Sequence, residues 1–265
     1  MIRDITIGQY YAGGSLIHDL DPRTKLMGVL VYIVVLFLVR NPWWYLLCFG
    51  VLLILYHIAR VPVGYFLRGL KGIVLLLIFT FIFRLIATPG TLIYQWGIFS
   101  VTEEGIVKAI GMTSRIALMI TGATLLSYTS TPRALADGLE KAFSFLEKIH
   151  IPVHDMAVIV MIAFRFIPIM IEELNVLMDA QAARGAEFEK GSFIQKCKNV
   201  FTLLPPLFLS TVRRAADLAM AMEARGYTGD RQTSRMYPLI YGENDRKAYI
   251  AIFLFLLIFV VLLFV

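Results

Sequence analysis

The sequence has few residues that could form disulfides or metal sites. It contains only 2 cysteines in 265 residues. Cys48 lies in an apolar run and Cys197 in a Lys-rich stretch, so neither a disulfide framework nor a cysteine metal-ligand spacing is present. His150 and His154 are four residues apart, but Pro152 between them argues against a continuous helix that would present both to one metal ion. We therefore expect neither a metal nor a cofactor.

Motifs for ATP hydrolysis and for membrane-embedded catalysis are also missing. Because the sequence has no G-x-x-x-x-G-K-[S/T] loop, we expect that the chain does not hydrolyse ATP itself. The absence of G-x-S-x-G, H-E-x-x-H and paired membrane aspartates argues against an intramembrane enzyme. A self-sufficient secondary transporter is another alternative, but the chain lacks two matched membrane halves with interrupted helices. These absences favour a non-catalytic protein.

Charged residues are scarce, and apolar residues are correspondingly abundant. Hydrophobic residues make up 58% of the chain and charged residues 17%, with a mean hydropathy of +0.74. Soluble domains are about 45–50% apolar, so the composition predicts an integral membrane protein. The net charge of the chain is +6. In a membrane protein such an excess of Lys and Arg usually lies in the cytoplasmic loops, so it does not indicate nucleic-acid binding.

Five apolar segments are candidates for crossing a bilayer, whose core needs about 20 mostly apolar helical residues. They are Leu26–Val39, Trp43–Ala59, Gly69–Ala87, Gly105–Ser127 and Ala248–Val265. Asp21 can cap the first helix, and Pro22 suits its first turn. We predict an all-α, polytopic membrane protein with about five transmembrane helices and a cytoplasmic domain of long, crossed amphipathic helices.

The distribution of basic residues predicts the orientation in the cell membrane. Arg3, Arg23 and Lys25 precede the first span, whereas the loop from Thr88 to Glu104 has no Lys or Arg. Lys and Arg become frequent again after residue 127. Because cytoplasmic loops carry the excess of basic residues, we expect a cytoplasmic N-terminus and an external C-terminus.

Two arginines lie inside the predicted spans, where a charge is costly and is a candidate for function. Arg84 is near the end of its span and can extend its guanidinium towards the interface. Arg115 is deeper and requires a partner or a water-filled crevice. A role in the substrate path is the alternative for both residues.

The chain divides into three predicted regions. Residues 1–128 hold the N-terminal segment and four spans, 129–247 the cytoplasmic domain, and 248–265 the last span. The middle region contains a helix that starts at Thr131-Pro132, a long segment Val153–Arg184 and a third segment Phe201–Arg225. If the long segments crossed the membrane, several lysines would lie outside, so we place them at the cytoplasmic surface. Their prolines, Pro168, Pro205 and Pro206, are candidate hinges, and local packing adjustment is the alternative.

One tripeptide occurs twice, as Ala183-Arg184-Gly185 and as Ala224-Arg225-Gly226, and 225 − 184 = 41 residues separate the copies. Gly just past a helix adopts the left-handed conformation that ends it, and Arg in the last turn interacts favourably with the helix dipole. Two ordinary helix ends are therefore one interpretation. The repetition favours another, in which two planar guanidinium groups bind two equivalent acidic pockets of partner subunits.

Several stretches together resemble a known family. They are Gln181–Gly185 and Ala221–Tyr227 around the two motifs, Ser15–Leu26 near the start, Arg165–Pro168 with Glu172 and Glu173, and Arg213–Ala215. These stretches are similar to the signature of the T component of energy-coupling factor (ECF) transporters, the EcfT and CbiQ-like family. The resemblance covers nearly the whole chain.

The resemblance implies a membrane scaffold without catalytic activity of its own, whose cytoplasmic long helices form a coupling domain. Each Ala-Arg-Gly copy would bind a groove of one of two ABC-type ATPases, which form a homodimer or a heterodimer. Arg184 and Arg225 would make the contacts, while Ala183, Gly185, Ala224 and Gly226 would shape the helix ends. A small membrane protein, the S component, would capture the substrate. Shared T components serve vitamins, and dedicated ones serve a single vitamin or a metal ion such as cobalt or nickel.

Overall fold

The computed structural model describes residues 10–11, 13–39, 41–96, 99–186, 188, 192–227 and 239–264. Within these ranges the chain is mainly α-helical, which confirms the predicted class. The helices are α1 Pro22–Leu38, α2 Trp44–Ile58, α3 Val63–Lys71, α4 Val74–Ala87, α5 Glu103–Thr129, α6 Pro132–Ala142, α7 Val153–Ala183, α8 Phe193–Phe201, α9 Leu204–Ala224 and α10 Glu243–Phe264. A 3-10 helix covers Ser144–Ile149.

A small hairpin was not predicted from the sequence. Strand β1, Leu92–Trp96, pairs antiparallel with β2, Phe99–Thr102, in a register that joins Leu92 to Thr102 and Trp96 to Phe99. Both strands are rich in aromatic and β-branched residues, which favour strands. The segment from Thr88 to Glu104, predicted only as a loop, therefore contains a hairpin.

The chain forms two compact units. One contains residues 8–142 together with 239–265, and the other contains residues 143–238. Helix α6 belongs to the first unit, where it packs on α1. The predicted boundary between the membrane region 1–128 and the cytoplasmic region 129–247 stays a prediction. A division into compact units does not by itself assign a function to the residues before or after α6.

The first and last long helices start from a shared set of hydrogen bonds. The Asp21 carboxylate accepts from the Arg23 N–H at 2.9 Å and Pro22 is the first helical residue, which confirms the predicted start of α1. Asp245 is buried in the first turn of α10, where its carboxylate accepts from the N–H groups of Asp21 at 2.8 Å and Gly242 at 2.9 Å. One carboxylate therefore joins the starts of α1 and α10.

The basic residues of the same stretch extend this arrangement. The Lys25 ammonium donates to the carbonyl oxygens of His18 at 2.8 Å and Thr129 at 2.9 Å. Arg23 donates to the Leu239 carbonyl at 3.2 Å, and its guanidinium lies 4.6 Å from the centre of the Tyr241 ring. The Asp-Pro-Arg-Thr-Lys stretch thus joins the start of α1 to the end of α5 and the segment before α10.

The hydrophobic core of this unit lies between α1, α2, α5 and α10. Its fully buried members include Val35, Leu36, Cys48 and Leu52. A glycine permits the close approach of α1 and α5, because a Cβ at Gly122 would lie 3.0 Å from the Tyr32 ring. This packing holds together helices that are distant in sequence.

Among the described residues, α5 is the helix that is long and apolar enough to cross a bilayer by itself. Gly64–Lys71 and Val74–Ala87 pass the same test together, as one span bent by 60°. The predicted helix Gly69–Ala87 is therefore interrupted, and Gly72 lies at the break, where its low helix propensity favours an ending. Helix α2 is apolar but only 15 residues long. The number of five spans stays a prediction.

Arg115 binds the ends of two neighbouring helices. Its Nε donates to the Tyr45 hydroxyl and its Nη2 to the Val39 carbonyl, both at 3.0 Å. Val39 caps the C-terminus of α1, so the cation lies at the negative end of that helix. Arg84 is exposed in the last turn of α4. The partner expected for Arg115 is thus a helix end and a phenol.

We predict that Arg115→Gln lowers the melting temperature in detergent by about 4–8 °C. The change removes two hydrogen bonds of a charged donor, to the Tyr45 hydroxyl and the Val39 carbonyl, and their loss costs about 2 kcal/mol. Val39 keeps its bond from the Tyr45 hydroxyl. For a protein of this size 1 kcal/mol corresponds to about 2–4 °C. Arg84→Gln is the matched control, because it removes the same charge from an exposed position, and it should leave the melting temperature nearly unchanged. Equal effects of the two substitutions would contradict this assignment.

Candidate functional site: two matched helix ends

The two Ala-Arg-Gly copies are helix ends, as the sequence predicts. Helix α7 ends at Ala183 and helix α9 at Ala224. The capping arginines have nearly identical backbone angles, φ −88° and ψ 6° at Arg184 against φ −91° and ψ 8° at Arg225. The glycines that follow have positive φ, 91° at Gly185 and 78° at Gly226. The repeated sequence therefore has the same local conformation in both copies.

The same hydrogen bonds close both ends. The glycine N–H donates to the carbonyl three residues earlier, at 2.9 Å in each copy, and the next N–H donates to the carbonyl five residues earlier, at 3.0 Å in each copy. In the first copy Gly185 donates to Ala182, and Ala186 donates to Gln181. In the second copy Gly226 donates to Glu223, and Tyr227 donates to Met222. This is the Schellman arrangement, which requires a left-handed residue at the glycine position.

All six residues of the two motifs are exposed. Within the part of the chain that the structure describes, neither Arg184 nor Arg225 has a hydrogen-bond or ion-pair partner. A Cβ placed on Gly185 or on Gly226 would meet nothing within 4 Å. Each guanidinium is therefore free to bind an external acceptor, and the backbone beside it is open to close approach.

Helices α7 and α9 meet at a group of polar contacts. The Glu173 carboxylate on α7 accepts from the Ser210 hydroxyl on α9 at 2.9 Å and forms an ion pair with Arg214. One turn earlier, the Thr211 hydroxyl donates to the Met170 sulfur at 3.2 Å. The bonds from Arg214 and then Ser210 hold the pKa of the Glu173 carboxyl below its ordinary value.

The register of this contact matches the register of the motifs. Met170 and Thr211 are 41 residues apart, as are Glu173 and Arg214. The crossing pair therefore precedes both arginines by the same number of residues, 184 − 173 = 11 and 225 − 214 = 11. At 1.5 Å per residue each helix end lies about 16 Å from the crossing. The two contacts advance in the same direction along both helices, so both ends lie on the same side of the crossing.

Large apolar side chains are exposed along these helices. On α7 they are Met156, Ile159, Val160, Ile167 and Val176, on α8 Ile194, Val200 and Phe201, and on α9 Leu204, Phe208, Leu209, Val212 and Met220. Helix α9 has no buried residue. Exposed apolar side chains along three consecutive helices favour contact with a membrane or another protein.

The proline positions define where these helices can bend. Pro168 lies in the interior of α7, where it removes one backbone hydrogen bond. Pro205 and Pro206 occupy the first turn of α9, so they start that helix and do not interrupt it. A bend at the second site would lie between α8 and α9. The hinge role of all three prolines stays a prediction.

Comparison with known proteins shows the family to which the chain belongs. Residues 13–236 match the family described as CbiQ, cobalt transport protein. The energy-coupling factor transporter transmembrane protein EcfT of Ruminiclostridium cellulolyticum is 43% identical over 245 residues, 92% of each chain. The chain belongs to the CbiQ/EcfT family. EcfT of Acidaminococcus fermentans is 40% identical over 92% of this chain and 91% of its own, and EcfT of Bacillus subtilis is 37% identical over 95% and 96%.

Membership in the CbiQ/EcfT family makes the chain a membrane transport protein of the ECF type. The predicted motif residues lie at two separate helix ends and do not form one pocket. Sequence analysis missed the Glu173–Arg214 pair and the role of Asp245. The first could have been found, because Glu172-Glu173 and Arg213-Arg214 lie at equal distances before the two motifs. The second gave no signal, since Asp245 is 224 residues from its partner Asp21.

We predict that valine at either motif glycine destabilises the helix end, whereas asparagine is tolerated better. A β-branched residue is strained at positive φ by about 1–2 kcal/mol, while asparagine adopts that region more readily. Hydrogen exchange at the N–H groups of Ala186 and Tyr227 measures the loss of the closing bonds. Gly72→Val is a control at a helix-end glycine of ordinary φ. Unchanged exchange in Gly185→Val and Gly226→Val would contradict the prediction.

Proposed function

We propose that this chain is the transmembrane scaffold and energy-coupling subunit of an ABC-type ECF importer. It links two ATPase subunits to a membrane S component that captures a micronutrient. The observation that carries this proposal is the pair of helix ends, which share backbone angles, hydrogen bonds and free arginines. Two matched donors at two matched positions suit two related subunits, each with an acidic pocket.

The energy for transport comes from the ATPases in this proposal. The chain has no P-loop motif, so its part is mechanical, and it is a non-catalytic subunit. Binding of a helix end transmits a movement of the ATPase along α7 or α9, since a helix is a rigid element. The family and the names of the relatives support a transport complex of this kind.

We place the protein in the bacterial or archaeal cell membrane as a multi-pass protein. Residues 129–247 lie on the cytoplasmic side, the N-terminus is cytoplasmic and the C-terminus is external. The excess of Lys and Arg in the cytoplasmic regions supports this orientation. The exposed apolar side chains of α7, α8 and α9 contact the bilayer boundary and the S component.

A vitamin is the substrate that we propose, delivered by S components that share this chain. Relatives named for the energy-coupling factor transporter, identical at 37–43%, support the ECF assembly. The description of the family as a cobalt transport protein favours a second candidate, a dedicated cobalt or nickel importer. In both cases the substrate binds in the partner, so the residues of this chain serve both candidates equally.

We predict that Arg184→Glu combined with Arg225→Glu dissociates the ATPases. Each change replaces a donor by a carboxylate that repels the acidic pocket, and the loss of one charged partner costs about 2–5 kcal/mol. Affinity purification of the tagged chain from its native host should recover two ATPases with the wild type and almost none with the double variant. Either single Arg→Ala change should weaken transport-coupled ATPase activity while keeping part of the complex.

The matched control is Arg165→Glu combined with Arg213→Glu. It changes two exposed arginines of the same two helices, and therefore the net charge, by the same amount. Retention of the ATPases in this control, together with their loss in the motif variant, would support the proposed docking sites. Equal recovery of the ATPases in both variants would refute them.

Depletion of the chain in its native host tests the substrate class. We expect uptake of several labelled vitamins to fall together, because a shared scaffold serves several S components. Loss of cobalt or nickel uptake with normal vitamin uptake would identify the dedicated importer. Substrate transport in liposomes by this chain alone would contradict the scaffold role and favour a secondary transporter.

A further inference from the structure

At the crossing of α7 and α9 the described side chains form polar bonds, and none of them is fully buried. Helix α9 has no buried residue, and the buried residues of α7 are Val153 and Ala157, at its N-terminal end. Interlocking side chains normally fix the angle at which two helices cross. Here the described cross-helix bonds at the crossing are those of Glu173 and Met170 with Ser210, Thr211 and Arg214.

The ion pair at this crossing is partly exposed, with 22% of the Glu173 side chain and 44% of the Arg214 side chain accessible. Exposed pairs add little to stability. Their geometry is nevertheless directional, because a carboxylate that binds both a hydroxyl and a guanidinium of α9 fixes where one helix lies on the other. The contribution of the pair is therefore to position and not to folding.

We propose that Glu173 and Arg214 are positioning residues that fix the spacing of the two ATPase-binding helix ends and thereby couple them. The proposal rests on the proposed function. The equal distance of 11 residues from the pair to Arg184 and to Arg225 makes the crossing a common pivot. A change of crossing angle at the pivot moves both ends by the same amount, over about 16 Å of helix.

The chain supplies its own control for this role. Glu172 and Arg213 have the same residue types one position earlier in both helices, and both are exposed. In the described part of the chain they form no ion pair with each other. One residue corresponds to a rotation of about 100° around a helix, so these side chains point away from the crossing contact. A general effect of charge would appear in both pairs, whereas a positioning effect is confined to Glu173 and Arg214.

The test uses the whole transporter complex, with the tagged chain purified from its native host. Spin labels on cysteines introduced at Ala180 and Ala221, two exposed positions 41 residues apart, report the distance between the helix ends. The background variant carries Cys48→Ala and Cys197→Ala. Pulsed electron paramagnetic resonance gives the distance distribution, and reconstituted complexes give the substrate transported per ATP hydrolysed.

We expect Glu173→Gln and Arg214→Gln to broaden the distance distribution and to lower transport per ATP by about two- to fivefold, as the strength of a partly exposed pair implies. The ATPases should remain bound. The charge swap Glu173→Arg with Arg214→Glu should restore both measurements in large part. Glu172→Gln with Arg213→Gln should change neither.

The inference would be overturned if the Glu173 and Arg214 variants gave the same results as the Glu172 and Arg213 control. The results compared are the distance distribution and the substrate transported per ATP hydrolysed. Loss of the complex that the charge swap does not restore would overturn it too, since it indicates a folding role. Failure of the proposed function gives a different result. In that case the ATPases remain bound to the variant that combines Arg184→Glu with Arg225→Glu.

Discussion

One contact, between Glu173 on α7 and Ser210 and Arg214 on α9, relates the two Ala-Arg-Gly helix ends of this protein to each other. The two helices cross at equivalent positions, the same number of residues before each Ala-Arg-Gly copy. Without this register, two matched helix ends would be two unrelated surface features. With it, they are the two arms of one element, and both extend to the same side of the crossing.

The ends themselves depend on backbone conformation. Gly185 and Gly226 have positive φ, and an added Cβ would meet no atom within 4 Å at either position. The backbone conformation alone therefore favours glycine there. That conformation closes the helix, satisfies its last carbonyl groups and leaves the arginine beside an open surface. In the proposed function, helix termination and partner binding use the same three residues. The proposal accounts for the repetition of the tripeptide. A single copy would fit an ordinary helix end and a binding site equally well.

Much of the fold could be predicted from the sequence, because the signals are local. Asp21 and Pro22 start α1, Thr131 accepts from the Ala134 N–H at the start of α6, and the motif glycines end α7 and α9. The hairpin and the break at Gly72 were missed, since short aromatic strands and a single glycine carry weak signals beside long apolar runs. Contacts between distant segments, such as Asp245 with the start of α1, follow from tertiary packing that no local pattern contains.

The central claim is that each helix end holds one ATPase, and site-specific photocrosslinking tests it most directly. A photoreactive amino acid would replace Ala183 or Ala224, one at a time, in the chain expressed in its native host. The account predicts that each position gives a crosslinked product with an ATPase subunit, identified by mass spectrometry, and that a probe at the exposed Ala163 in the middle of α7 does not. Crosslinking of the ATPase from only one helix end, or from neither, would contradict the account.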